Sequence, residues 1–76
     1  MSDLAQALID NAEEKVSEYE DAPIGSLDEI TAAESLREPA LTAANLVTVS
    51  SKKSEFVSRI AARDAEIAVA KQVLNP

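Results

Sequence analysis

Fourteen acidic side chains carry most of the chemistry this sequence could do. Two adjacent pairs stand out, Glu13/Glu14 and Glu20/Asp21. Paired carboxylates divide acid and base work between them when a cleft pushes their pKa values apart. The same oxygens can ligate calcium, and Glu18, Glu20, Asp21 and Asp28 are the candidates. Both readings fall short. The calcium-loop spacing D-x-[DN]-x-[DN]-G is absent, and helical periodicity through the first pair predicts a solvated acidic face rather than a cleft. No His or Cys occurs. That removes His-based catalysis, thiol chemistry and, in practice, structural zinc, and leaves only Ser–Lys or carboxylate variants in principle. The expectation is a chain with no catalytic residues, no metal and no cofactor, and so not an enzyme.

One hydroxyl has a distinctive setting. Ser26-Leu27-Asp28-Glu29 matches a capping box, in which Ser26 caps a helix and Glu29 reaches back three residues later. Gly25-Ser26-Leu27-Asp28 also resembles the Ser-Leu core of acyl carrier proteins, where a serine at a helix start carries phosphopantetheine. Small size and acidity are similar to that family. The resemblance implies an attachment role for Ser26, although it covers only these few residues and Gly25 stands where an Asp is usual. The cap accounts for the same residues without a cofactor and is preferred.

The net charge is −7, and it is unevenly spread. Residues 1–38 hold eleven acids against Lys15 and Arg37, whereas residues 39–76 hold five cations against Glu55, Asp64 and Glu66. The chain is an electrostatic dipole whose halves can attract within one molecule or head to tail between copies. The acidic half disfavours direct nucleic-acid binding, since phosphate contacts need a basic surface. Glu13, Glu14, Glu18, Glu20 and Asp21 lie within nine residues and repel one another, with Lys15 as the only local relief. They are expected to meet cations: Lys52, Lys53, Arg59 and Arg63 of this chain or a copy, or those of another partner. Lys52 and Lys53 sit in the first turn of a helix, where cations are unfavourable, and are expected to meet those carboxylates. Glu55 and Arg59 are spaced for an i,i+4 pair.

The elements that position these charges are helices. Residues 4–19 place Leu4, Ala5, Leu8, Ile9, Ala12, Val16 and Tyr19 within an arc of roughly 140° at 100° per residue, with Ser2 or Asp3 as cap. Pro23 and the single Gly25 make a turn. A second helix from the Ser26 cap, with Leu27, Ile30, Ala33 and Leu36 spaced by three, runs to about Arg37 and is expected to end at Pro39. Residues 40–50 read either way: Leu41 to Leu46 suit a short helix, and Val47-Thr48-Val49 alternate like a strand, so an extended connection or irregular turn is expected. Residues 51–74 form the longest helix, capped by Ser50 or Ser51 and stopped by Asn75-Pro76. Phe56, Ile60, Ile67 and Leu74 fall within about 40° of one another and predict its anchor stripe. Arg63 interrupts the heptad seam, which argues against a simple coiled coil. A weaker stripe, Ala62, Ala65, Val69 and Val73, lies roughly opposite. A helix apolar on two sides contacts something on both.

The fold class expected is all-α: one small domain spanning residues 1–76, either a helical hairpin or a three-helix arrangement. Aromatics are limited to Tyr19 and Phe56, and much of the apolar content is Ala, so the core is thin. A domain this small buries only about 60% of its unfolded surface, and without disulfides or a metal a partner is the remaining source of stability. No apolar run approaches the roughly 20 residues of a membrane span. The acidic polar face of the first helix also argues against a membrane surface. Met1-Ser2-Asp3 lacks the basic start of a secretory signal, so a cytoplasmic origin is expected, with a virion as one destination. Two function classes fit. The first is a structural or assembly subunit bound to other copies or other chains, for example in a phage or virus particle. The second is an acidic inhibitor that mimics nucleic acid in a partner's basic groove.

Overall fold

A computed structural model describes residues 3–76. Among them are four helices and no strand: α1 (Asp3–Asp21), α2 (Leu27–Glu34), α3 (Arg37–Leu46) and α4 (Ser50–Leu74). The fold is all-α with a long C-terminal helix, as the periodicities require. α1 buries Ala12, Val16 and Tyr19, three members of its expected apolar arc. Asp3 lies in its first turn, where a carboxylate suits the positive end of the helix dipole. Ser2, the other candidate cap, lies outside the described residues.

The Ser26 cap forms with one displacement. Ser26 is extended (φ −145°, ψ 165°), and its Oγ accepts from Glu29 N–H at 3.2 Å. Glu29 Oε1 accepts not from Ser26 N–H but from Gly25 N–H, one residue earlier, at 2.8 Å. A Cβ on Gly25 would stand 3.1 Å from that oxygen, so glycine leaves the carboxylate room.

Pro39 does not end a helix; it helps to start one. α2 stops at Glu34, and Leu36 N–H bonds back only three residues, to Ala33 at 3.0 Å, a tight last turn. The chain then re-enters a helix at Arg37, so Pro39 is the third residue of α3. First-turn residues have no intrahelical acceptor for their N–H, so the missing proline donor costs nothing there. Ala40 N–H resumes the ladder to Leu36 at 3.3 Å. Residues 40–46 are therefore helical, and only residues 47–49 form an extended connection. The cap of α4 also differs from expectation: Val49 occupies it with no side-chain bond, and Ser50 and Ser51 are already helical. Asn75 terminates α4, its N–H bonded to Lys71 O at 2.9 Å.

α1, α3 and α4 pack up, down and up. Arg37 at the start of α3 reaches Asp64 of α4, while Leu46 at its end shares a surface hollow with Asn11 of α1. α3 offers Ala40, Ala43 and Ala44 to both neighbours, and such small contact residues let helix axes approach closely. α2 lies against the far half of α4. Five of the twelve buried residues are Ala, so the core is as thin as the composition implies. Tyr19, Ile30, Ile60, Val16 and Val47 are its largest fully buried side chains. The shape is elongated, 51 × 17 × 14 Å with a radius of gyration of 13.6 Å. About 11 Å is usual for a compact chain of this length.

Two expected anchors sit outside the core. Leu4 is 73% exposed and Leu74 38% exposed, because each lies near a helix end that overhangs its neighbours. Leu8 and Ile9 are half-buried, whereas Phe56, Ile60 and Ile67 are buried.

Candidate functional site

Three polar clusters lock α1 to α4. In the first, Arg59 projects from α4 across the α1 face. Its Nη1 and Nη2 donate to the two Glu13 oxygens at 2.9 and 3.0 Å, and its Nη2 and Nε donate to Glu20 at 2.6 and 3.1 Å. The guanidinium also sits over the Phe56 ring, 5.4 Å from its centroid. Hydrogen bonds from Arg59, and then one from Ser17, pull the Glu13 carboxyl down from 4.5 to about 2. Glu20 and then Glu13 hold the Arg59 guanidinium above its ordinary value. The i,i+4 pair of Glu55 with Arg59 does not form. Arg59 swings to two carboxylates on another helix, and Glu55 pairs with Lys52 at 3.6 Å.

In the second cluster, the buried Tyr19 hydroxyl donates to Asp64, and Arg37 Nε donates to both Asp64 oxygens at 3.1 Å. Burial, and then the neighbouring Asp64, push the Tyr19 phenol well above its ordinary range. The hydrogen bond to Asp64 raises Arg37. Lys71 closes the same end of the molecule through Glu34 at 2.6 Å. In the third cluster, Arg63 donates to the backbone oxygens of Tyr19 and Ala22 and to Glu66 at 3.0 Å. Arg63 thus satisfies carbonyls at the C-terminal end of α1, where acids alone would oppose the dipole.

Of the charged candidates, the structure brings together Glu13, Glu20 and Arg59, and sets Arg63 against the backbone of α1. It leaves the others apart. Glu14 meets only Lys15, at 3.8 Å. Lys52 pairs with Glu55 of its own helix and acts on the acidic half only at longer range, as one of the charges that lower the Glu13 carboxyl, and Lys53 makes no ion pair among the described residues. Glu18 and Asp21 are exposed and likewise have no cationic partner among the described residues. They stand instead at the edge of a groove of about 420 Å³ between the end of α1 and α2. Its floor is Ala22, Pro23, Ala32, Ala33 and Leu36, and Glu29 completes the acidic rim. The sequence reading missed Tyr19–Asp64–Arg37 as a unit. Its members are 27 and 45 residues apart, and only the lone Asp within the basic helix hinted at a partner.

The outer face of α4 is the other unsatisfied surface. From Ser50 to Gln72, an arc of about 140° contains no charge. It presents Val57, Ala61, Ala62, Ala65, Ala68 and Val69 between serines and Gln72, all exposed. Val69 is 60% and Val73, at the edge of the arc, 72% accessible. No helix among the described residues is long and apolar enough to cross a membrane. No protein-family model matches the chain, and no curated protein or solved structure matches it either.

Proposed function

We propose that this chain is a structural subunit that packs into a larger protein assembly and performs no catalysis. The observation that carries the reading is the charge-free outer face of α4. In a chain with 28% charged residues, a helix face 23 residues long, Ser50 to Gln72, without one is set apart from the rest of the surface. Its residues are small, so a facing helix could approach closely. The elongated shape and Ala-rich core point the same way, since both leave the free chain short of burial. One concrete form of such a subunit is a component of a phage or virus particle.

The test is the mass of the protein in its native setting. Isolated gently from its own cells or particles, it is expected in a complex of fixed stoichiometry well above 8.1 kDa. A native protein that sediments as a free 8.1 kDa monomer overturns the reading.

A second reading, an acidic inhibitor that occupies a basic groove, draws support from the outer ridge of α1. Asp3, Asp10, Glu14 and Asp21 fall within about 40° of one another and span about 27 Å. Against it, Glu13 and Glu20 turn inward to Arg59. Displacement of the protein from its partner by duplex DNA would favour this second reading over the first.

A further inference from the structure

We infer that the groove between α1 and α2 is a docking site for a second copy of this chain, which inserts the corner between its α3 and α4. The inference rests on the assembly reading and names one partner within it.

The groove has two properties that together specify its occupant. Its floor is apolar, with Ala22, Pro23 and Leu36 accessible from outside, so it takes an apolar side chain. Its rim carries Glu18, Asp21 and Glu29. The internal cations that could have neutralised this rim are committed elsewhere. Arg59 is held by Glu13 and Glu20, and Arg63 by two carbonyls and Glu66. Only one Glu29 oxygen is engaged, by the Gly25 amide. The rim therefore keeps an excess of negative charge around an apolar hollow, and what fits is an apolar knob flanked by cations.

The molecule offers one at the other end of α3. Leu46 and Val49 are exposed large apolar residues on either side of the buried Val47. Lys52 and Lys53 follow within one turn, at the N-terminus of α4, where the helix dipole already makes positive charge unwelcome. Lys53 has no ion pair among the described residues, and the one ion pair of Lys52 among them is an exposed 3.6 Å contact with Glu55, beside a weaker attraction to Glu13. Moving both lysines beside the carboxylates of another copy would relieve the repulsion at the α4 start and at the rim together. Groove and knob lie beside the two ends of α3, Leu36 just before its first residue and Leu46 its last, about 15 Å apart along the helix, so the folded chain holds them apart. A groove-to-knob contact joins different patches, and it propagates into a ring or filament unless the geometry closes on a pair.

The experiment uses sedimentation of the purified full chain with two charge-reversed variants. One is Glu18→Lys/Asp21→Lys, which spoils the groove. The other is Lys52→Glu/Lys53→Glu, which spoils the knob and places acids where the α4 dipole favours them, so its fold should hold. Circular dichroism checks helicity in both. Wild type is expected to rise above 8.1 kDa with concentration. The association should weaken about tenfold between roughly 50 and 500 mM salt, the sum of about three exposed pairs. Each variant alone should stay monomeric, and an equimolar mixture should associate again. A wild type monomeric up to about 1 mM overturns the inference. So does association that persists in either helical variant, or a mixture that fails to recover it. If the purified chain is monomeric while the native protein sits in a complex, the docking inference falls and the assembly reading stands.

Discussion

Removing the Asp64 carboxylate should show how much the Tyr19–Asp64–Arg37 cluster holds the bundle together. Asp64→Ala leaves the hydroxyl of Tyr19, a residue 1% exposed, with no acceptor. An orphaned buried hydroxyl costs about 1–3 kcal/mol. The ion pair with Arg37 adds little, because the two side chains are 42% and 34% exposed. Pairs so exposed are worth about 0–1 kcal/mol. The sum is about 1–4 kcal/mol, centred near 2–3 kcal/mol, against a total of about 4–11 kcal/mol for a chain of this length. At about 4–8 °C per kcal/mol, the midpoint should fall by roughly 10–20 °C in a thermal melt followed by circular dichroism. Tyr19→Phe should cost only about 1 kcal/mol, since Arg37 still satisfies Asp64. In the double variant the Phe ring needs no acceptor, so the two losses should not add; a coupling of about 1–2 kcal/mol is expected. A loss below about 0.5 kcal/mol for Asp64→Ala, or strict additivity in the cycle, refutes a stabilising role for the cluster.

Phe56→Ala should cost about 3–5 kcal/mol, enough to leave the free chain largely unfolded; wild-type helicity in the variant would place the ring outside the essential core. Glu13 carries a pH dependence of known sign: its folded pKa of about 2 lies below the ordinary 4.5, so its stabilisation is complete above about pH 5 and disappears as pH falls through 4.5 toward 2. The side chain is 54% exposed, and screening leaves about 1 kcal/mol. Urea midpoints should therefore separate wild type from Glu13→Gln by about that amount at pH 6, and the gap should close toward pH 2. Pro39→Ala should change stability by less than about 1 kcal/mol in urea unfolding, because a first-turn proline gives up no ladder bond; a much larger change would mean that the ring packs where the backbone argument assigns it no duty.

α1 and α4 were legible because each is long enough for its apolar period to repeat several times. The break between α2 and α3 was misplaced for a local reason. Pro39 carries the same sequence signal whether it ends one helix or sits in the first turn of the next, and only the tight turn at Ser35–Leu36 separates the cases. Leu4 and Leu74 share the wheel positions of buried residues, but periodicity does not say where a neighbour stops. The opposition of an acidic first half and a basic last helix is written in the composition. Which carboxylates Arg59 would take is not, because that depends on the axial register of two helices about 40 residues apart. Tyr19 and Asp64 pair for the same reason of register, and no spacing rule reaches 45 residues.

The contacts that secure α1 come mainly from α3 and α4, and its ion pairs to other helices come from the last helix of the four. As the chain is synthesised, α1 emerges first and its partners last. An isolated helix of 19 residues with five carboxylates on and around its outer ridge is marginal in water. Until Arg59 has appeared, Glu13 and Glu20 lack their counter-charge, and until Phe56 and Ile60 follow, the apolar face of α1 has only the small side chains of α3 beside it. Such separations make the closing loop long for a helical protein, and they delay the cooperative step until α4 has been made. A nascent chain stopped before α4 should therefore behave as an expanded acidic polymer, with its own negative charge keeping it from collapsing or sticking to neighbours while it waits.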